Sequence, residues 1–270
     1  MDPMETKVVR GMTMRKDPAR EACFKVADTD DQMISWPDWS EQSRRERIHR
    51  HMNNEITTAE VAAQCLADFP DAPWELRMEL ARQVWDESRH AAGLYRRLKE
   101  LGGRKGEYPI ANFEWAVSSY LDSVIGRITV MNRTFEAGTM DLMAYIPDGW
   151  RQNAGDMETA ELLDAIAADE IQHVRFANQW VHKLCGENKR NLLKVVQAVK
   201  FLDAAQRAIA PAPGSTNLVG VSVDDVTQSA PINVADRQLA DFTDDEISIL
   251  LKQHDLETLV TGQAAEHGSP

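Results

Sequence analysis

Apolar residues recur at intervals of three and four through most of the chain, a period that predicts helices rather than strands. Ile48, Met52, Ile56, Ala59, Ala63 and Leu66 form one stripe between about residues 40 and 69, ended by Pro70-Asp71-Ala72-Pro73. Leu76, Leu80, Val84, Ala91, Leu94 and Leu98 form a second from about 74 to 101, where Gly102-Gly103 supplies a C-terminal cap. The third, with Ala116, Tyr120, Ile125, Ile128 and Met131, runs from about 112 to 136 or beyond, and Gly138 and Pro147 bracket its end. A fourth starts near Asp156 and carries Leu162, Ile166, Ile171, Val174, Ala177 and Val181 to Gly186. Residues 191–209 predict one more amphipathic helix, and Thr243 with Glu246 caps a short last one. Strand-like alternation is confined to residues 218–223.

Four long helices joined by modest loops describe an all-α bundle over residues 40–186. Residues 1–39, with Pro18, Pro37 and several aspartates, read as an irregular N-terminal arm lying over that core. Residues 187–270 read as a C-terminal helical extension that covers the bundle and ends in a flexible tail.

Composition narrows the class. At 270 residues and 43% apolar content the chain fills a sizeable core, and no apolar run approaches the roughly 20 residues of a bilayer span. The opening Met1-Asp2-Pro3-Met4-Glu5 is acidic where a secretory signal is basic and then apolar, so the expected location is the cytoplasm. A net charge of −13 disfavours nucleic acid as a partner. Arg44, Arg45, Arg47 and Arg50 form a local basic cluster, as do Arg96, Arg97 and Lys99; both read as solvated helix faces. Cys23, Cys65 and Cys185 stand too far apart for a paired motif and read as reduced core thiols.

The chemistry lies in a repeated string. The second and fourth helices each hold Asp-Glu-x-x-His: Asp86-Glu87-Ser88-Arg89-His90 and Asp169-Glu170-Ile171-Gln172-His173. On a helix, positions i and i+3 share a face, so each string presents a carboxylate and an imidazole to one ion. Each preceding helix offers one more acid at matching height: Glu55 stands 32 residues before Glu87, and Glu136 stands 34 before Glu170. Glu55, Glu87, His90, Glu136, Glu170 and His173 then converge on the bundle centre as the ligands of two metal ions. Six such groups on core-facing stripes without a metal would bury charge at several kcal/mol each.

Neighbouring groups sort around this set. Glu46-Arg47-Ile48-His49 repeats the spacing but lacks the preceding Asp and an upstream glutamate, and reads as a charged outer face. Glu60 is more than a turn out of step with Glu87, and Asp141 is rotated by about 140° from Glu136. His51, one turn before Glu55, reads as a neighbour of the site. Asp86 is expected to hold His173, and Asp169 to hold His90, each fixing the ring orientation of a ligand from the other half. Arg89 offsets negative charge there or forms a surface ion pair. Thr58, Ala59, Thr129 and Asn132, one or two turns from Glu55 and Glu136, are the candidate substrate-pocket residues. Tyr120, Tyr145, Trp85, Trp115 and Trp180 read as bundle core rather than redox sites.

At these residues the chain resembles the ferritin-like superfamily of di-iron carboxylate proteins. The string at 86–90 is similar to that of bacterial multicomponent monooxygenases and the ribonucleotide reductase small subunit. Asn54-Glu55-Ile56, Arg133-Thr134-Phe135-Glu136-Ala137-Gly138, Asn178-Gln179-Trp180 and Pro231-Ile232-Asn233-Val234-Ala235-Asp236-Arg237 extend the resemblance over roughly residues 40–250 to a bacterial ferritin-like family without an assigned substrate. Asn53 stands where that family commonly has His.

The resemblance implies a ferritin-like four-helix bundle with two iron ions, or a manganese and iron pair. It also implies a non-heme di-iron oxygenase or oxidase, using O2 to hydroxylate, N-oxygenate or desaturate a small-molecule substrate with electrons from a donor or reductase. A ferroxidase or metal-handling role is the alternative, and a tRNA-hydroxylating enzyme is the second alternative. No membrane partner is expected, and the reading leaves room for a homodimer.

Overall fold

The computed structural model describes residues 4–34, 36, 38–211 and 231–254, and it is mostly helical. The predicted strand-like run at 218–223 lies outside the described residues. Among the described residues no helix is long and apolar enough to cross a membrane.

Helix α1 (Glu41–Asp68) starts where the Ser40 hydroxyl accepts the Ser43 N–H. Helix α2 (Trp74–Glu100) ends in the predicted cap: Gly102 has φ +77°, and the Gly103 N–H reaches back to the Leu98 carbonyl. Helix α7 (Met157–Glu187) is capped by Asp156, whose side chain accepts the Thr159 N–H. These three match the hydrophobic stripes closely.

The third stripe is not one helix. It divides into α3 (Phe113–Ser118), α4 (Val124–Val130), a π-helical turn (Met131–Glu136) and α5 (Ala137–Met143), followed by α6 (Ile146–Gln152). Ser123 caps α4 and restarts the helix after the break. In the π-turn the Thr134 hydroxyl donates to the Thr129 carbonyl five residues back, and the extra residue rotates the faces of α5 relative to those of α4. Gly138 sits inside α5 and ends nothing.

The arm is more ordered than its composition suggests. Strands β1 (Thr6–Val9) and β2 (Met12–Arg15) form an antiparallel hairpin, turned by Arg10 and Gly11, both with positive φ. Val9 and Met14 bury against Ala116, Val130 and Leu202. Strand β3 (Val26–Ala27) pairs in parallel with β4 (Ile110–Ala111). Beyond the long helices, α8 (Asn191–Ile209) packs on α4, and α9 (Val234–Leu239) packs on α5 and α7.

Two of the four buried apolar clusters among the described residues flank the middle of the molecule. One contains Val61, Cys65, Leu76, Leu80, Phe176 and Val181; the other contains Ile48, Met52, Leu94, Leu98, Leu163 and Ile166. Along α1, α2 and α7, Glu55, Glu87 with His90, and Glu170 with His173 fall between the two. The site is therefore clamped on both sides by close-packed hydrocarbon.

Several surface expectations are corrected. Glu46 and His49 are fully buried rather than solvated: Glu46 pairs with Arg50, and His49 Nε2 accepts the Gly106 N–H at 3.0 Å, pinning the turn before β4. Trp85 and Tyr145 are exposed, whereas Trp115 and Trp180 are core. Cys23 is exposed, and only Cys65 and Cys185 are buried.

His49 yields a pH prediction. Burial lowers its pKa to about 4, below the ordinary value near 6.5. The folded state thus holds it neutral while the unfolded chain gains a proton, so its contribution is present above about pH 6.5 and is lost toward pH 4. Denaturant unfolding at stepped pH is expected to show a loss on the order of 2–3 kcal/mol over that window, flattened in His49→Gln.

Candidate metal centre

Six ionisable side chains from four helical segments meet at the middle of the molecule: Glu55 on α1, Glu87 and His90 on α2, Glu136 at the end of the π-turn, and Glu170 and His173 on α7. All six are buried. They form two overlapping groups. Glu55, Glu87, His90 and Glu170 offer ligand atoms within 4.8 Å of one another, and so do Glu87, Glu136, Glu170 and His173. Each group has one glutamate and one histidine of its own, and both use Glu87 and Glu170.

The histidines face the glutamates through Nδ1. His90 Nδ1 lies 3.1 Å from Glu55, 3.2 Å from Glu87 and 3.6 Å from Glu170. His173 Nδ1 lies 3.2 Å from Glu87 and 3.4 Å from Glu170, yet it is buried without a well-formed hydrogen bond. The opposite nitrogens are held across the halves: His90 Nε2 is 3.1 Å from Asp169, and His173 Nε2 is 3.3 Å from Asp86. A proton on each Nε2 leaves each Nδ1 lone pair aimed at the glutamates, the tautomer a metal ligand requires. Arg89 donates to both aspartates, at 2.9 Å to Asp86 and 2.8 Å to Asp169, tying the two strings together from the half-exposed side.

Without a cation this cluster is electrostatically frustrated. Burial, then Glu170, pushes Glu136 well above the ordinary carboxylate value; burial with Glu55 raises Glu87, and burial with Glu87 raises Glu170. Glu55 differs: burial opposes its ionisation, but His51 beside it brings it down to about 2. His90 is raised to about 11 because the Glu55 and Glu87 contacts outweigh burial, and His173 rises for the same kind of reason through Asp86 and Glu170. The His173 hydrogen bond holds Asp86 far below the usual carboxylate range. Four carboxylates balance two divalent ions, which displace the protons the cluster otherwise retains. Glutamate oxygen and imidazole nitrogen suit iron, manganese or zinc. The residues present fit such a pair.

Two polar residues with no motif of their own complete the surroundings. Gln83, one turn before Glu87 on the same face of α2, donates to Glu87 at 3.3 Å and also to Glu136. Its one signal in the sequence is a glutamine on an apolar stripe. Glu114, on α3, faces the same cavity as Glu55, Glu87, Glu136 and Glu170, and burial together with Glu55, Glu87 and Glu170 raises it to about 8. Nothing local marks Glu114, because only the break after α3 swings it across the site. His51 Nε2 sits 2.6 Å from Glu55.

The adjoining cavity has a volume of about 370 Å³. Thr58 lines it; Ala59, Thr129 and Asn132 do not. The cavity lies on the Arg47, His51, Asn54 and Thr58 side of Glu55, away from Ala59. The π-turn rotates Thr129 off the Glu136 face, and its hydroxyl donates to the Ile125 carbonyl. Asn132 instead holds Glu136 at 2.7 Å. Glu60 points elsewhere, in a double contact with Arg20 at 2.7 and 2.8 Å. Asp141 is bound by Arg237.

Removing a support should weaken the centre without removing a ligand. Asp169→Ala is expected to lower metal affinity by about ten- to a hundredfold in equilibrium dialysis, with Glu60→Ala unchanged.

A family model described as "Protein of unknown function (DUF455)" matches residues 3–248. No curated protein and no solved structure matches the chain.

Proposed function

The chain belongs to the DUF455 family, whose description assigns no reaction, and from the chemistry of the site we propose a ferritin-like di-iron oxygenase or oxidase. It uses dioxygen to hydroxylate, N-oxygenate or desaturate a small molecule. The observation that carries this reading is the sharing of Glu87 and Glu170 between two ligand groups, each with its own histidine and glutamate, beside a cavity of organic-ligand size. Two iron ions, when bound, supply the activation of dioxygen. A manganese and iron pair fits the same donors.

The chain's residues do the rest. Glu55 with His90 would hold one ion and Glu136 with His173 the other, Glu87 and Glu170 would serve both, and Asp169 and Asp86 fix the two imidazoles through Nε2. Gln83 and Asn132 keep Glu136 oriented. The hydrocarbon side of the cavity, with Phe135, Leu142, Met143, Ile146 and Trp150, positions the substrate. A hydroxylation or N-oxygenation also needs two electrons per turnover, so an external reductant or reductase is a required partner.

Ferroxidase activity is the second reading, but it gives the hydrocarbon side of a cavity of this size nothing to hold. A tRNA substrate is disfavoured by the −13 charge and by the arginine cluster of α1, where Arg45 is engaged by Glu107 and Arg47 and Arg50 line the cavity. The test is anaerobic loading with ferrous iron followed by rapid mixing with oxygen. A transient visible absorbance that outlives mixing is expected. Immediate ferric build-up with repeated turnover of added iron would contradict the oxygenase reading.

A further inference from the structure

The cavity beside the metal centre has two chemically different ends, both lined by α1. Arg47, Arg50, His51, Asn54, Glu55 and Thr58 lie on one stripe at spacings of three, one, three, one and three, and all line the cavity. Eight residues separate Arg47 from Glu55, about 12 Å along the helix axis. The end at Glu55 is the ligand cluster. The far end is cationic.

At that far end the two arginines are held differently. Arg50 is paired with the buried Glu46 at 3.1 Å. Arg47 is not paired: it donates to the Ser43 hydroxyl at 3.1 Å and the Trp36 carbonyl at 3.3 Å, and its guanidinium lies over the Trp39 ring at 4.8 Å. Among the described residues no carboxylate lies within ion-pair distance of it. Glu46 and Asp38 act on the Arg47 guanidinium from beyond contact distance, so this half-buried cation has no direct anionic partner and keeps a face for an incoming one. Burial, then the neighbouring Arg50, lowers the Arg47 pKa, and the more distant Glu46 and Asp38 offset this only in part. Away from the α1 stripe the lining is mostly hydrocarbon and aromatic: Phe135, Leu142, Met143, Ile146, Trp150 and Leu163.

We propose that this cavity binds an apolar organic monocarboxylate, with its carboxylate on Arg47, its hydrocarbon body along the Phe135 to Trp150 wall, and the atom to be oxidised facing the glutamates. Guanidinium and carboxylate match in geometry, and the partly dry setting strengthens the pair. A cationic substrate meets repulsion from Arg47. A large polyanion meets a chain of net charge −13. This inference rests on the oxygenase reading for its chemistry but not for binding. In its hydroxylation form a C–H bond becomes C–OH and the second oxygen atom leaves as water, with two electrons and two protons from the external reductant.

The test is calorimetric titration of the full chain, metal-free and zinc-loaded, with butanoate, octanoate, dodecanoate, 1-octanol and octylamine. Octanoate or dodecanoate is expected to bind more tightly than octylamine in the zinc-loaded protein. In both states Arg47→Gln is expected to weaken the alkanoates about ten- to a hundredfold, with 1-octanol within about twofold of the parent. Arg47→Lys, which keeps the charge and the fold contacts in part, should recover some of the loss. Absence of alkanoate binding, equal or better binding of octylamine, or an Arg47→Gln protein that is folded and unchanged toward alkanoates would overturn the inference. Zinc loading is read in the same samples. Normal loading with no Arg47 effect defeats the carboxylate proposal alone, and a full Arg47 effect with no loading defeats the metal reading alone.

Discussion

Glu170→Ala is expected to abolish metal binding at both positions, whereas Glu136→Ala is expected to empty only one. The difference arises from the shared ligands: Glu170 and Glu87 belong to both groups, while Glu136 belongs to one and Glu55 to the other. In anaerobic dialysis against ferrous iron, Glu170→Ala should retain less than about half an ion per chain, and Glu136→Ala or Glu55→Ala about one. Stability should move the other way. In the metal-free protein Glu170 is buried beside Glu87, which raises its pKa, so an uncharged substitute relieves strain that the cluster otherwise carries. Glu170→Gln is therefore expected to raise the metal-free melting temperature while destroying loading, the trade expected of a functional site. A variant that lost metal by misfolding would lose both.

The second large effect is expected at the C-terminal segment. Arg237 makes a double contact with Asp141, at 3.0 and 2.6 Å, and the Asn233 N–H adds a third bond to the same carboxylate at 2.8 Å. Both side chains are buried, and the guanidinium lies 4.9 Å from the Phe242 ring centre. Breaking a buried pair from one side strands the other charge, so Arg237→Ala should cost about 3–5 kcal/mol in urea unfolding. Asp141→Leu with Arg237→Met should recover much of that, because neither charge is then left uncompensated. Asp141 lies on α5, directly after the π-turn that carries Glu136. Arg237→Ala should therefore also lower occupancy of the metal position that uses Glu136.

The pattern of α1, α2 and α7 was legible because each buries a continuous stripe and ends in a cap with a known residue signature. The meeting of Glu55, Glu87, His90, Glu136, Glu170 and His173 was legible for the same reason: helical spacing sets height and face. The third helix misleads because its stripe persists through the break at 119–123 and the π-turn at 131–136, neither of which changes composition. The π-turn accounts for the misplacement of Thr129, and the break after α3 for the arrival of Glu114 at the cavity. Glu46 and His49 misled differently. A charged residue reads as exposed unless its partner is known, and the partner of His49 is a backbone N–H at Gly106, distant in sequence. The role of Asp141 was hidden likewise, since its partner Arg237 lies ninety-six residues away.

The most direct measurement is the metal content of the chain after anaerobic equilibration with ferrous iron at neutral pH, with the positions located by anomalous diffraction. Two ions per chain are expected, one beside Glu55 and His90 and one beside Glu136 and His173, with Glu87 and Glu170 touching both. A single ion, or none, with Glu87 and Glu170 hydrogen-bonded only to protein, would contradict a two-metal centre.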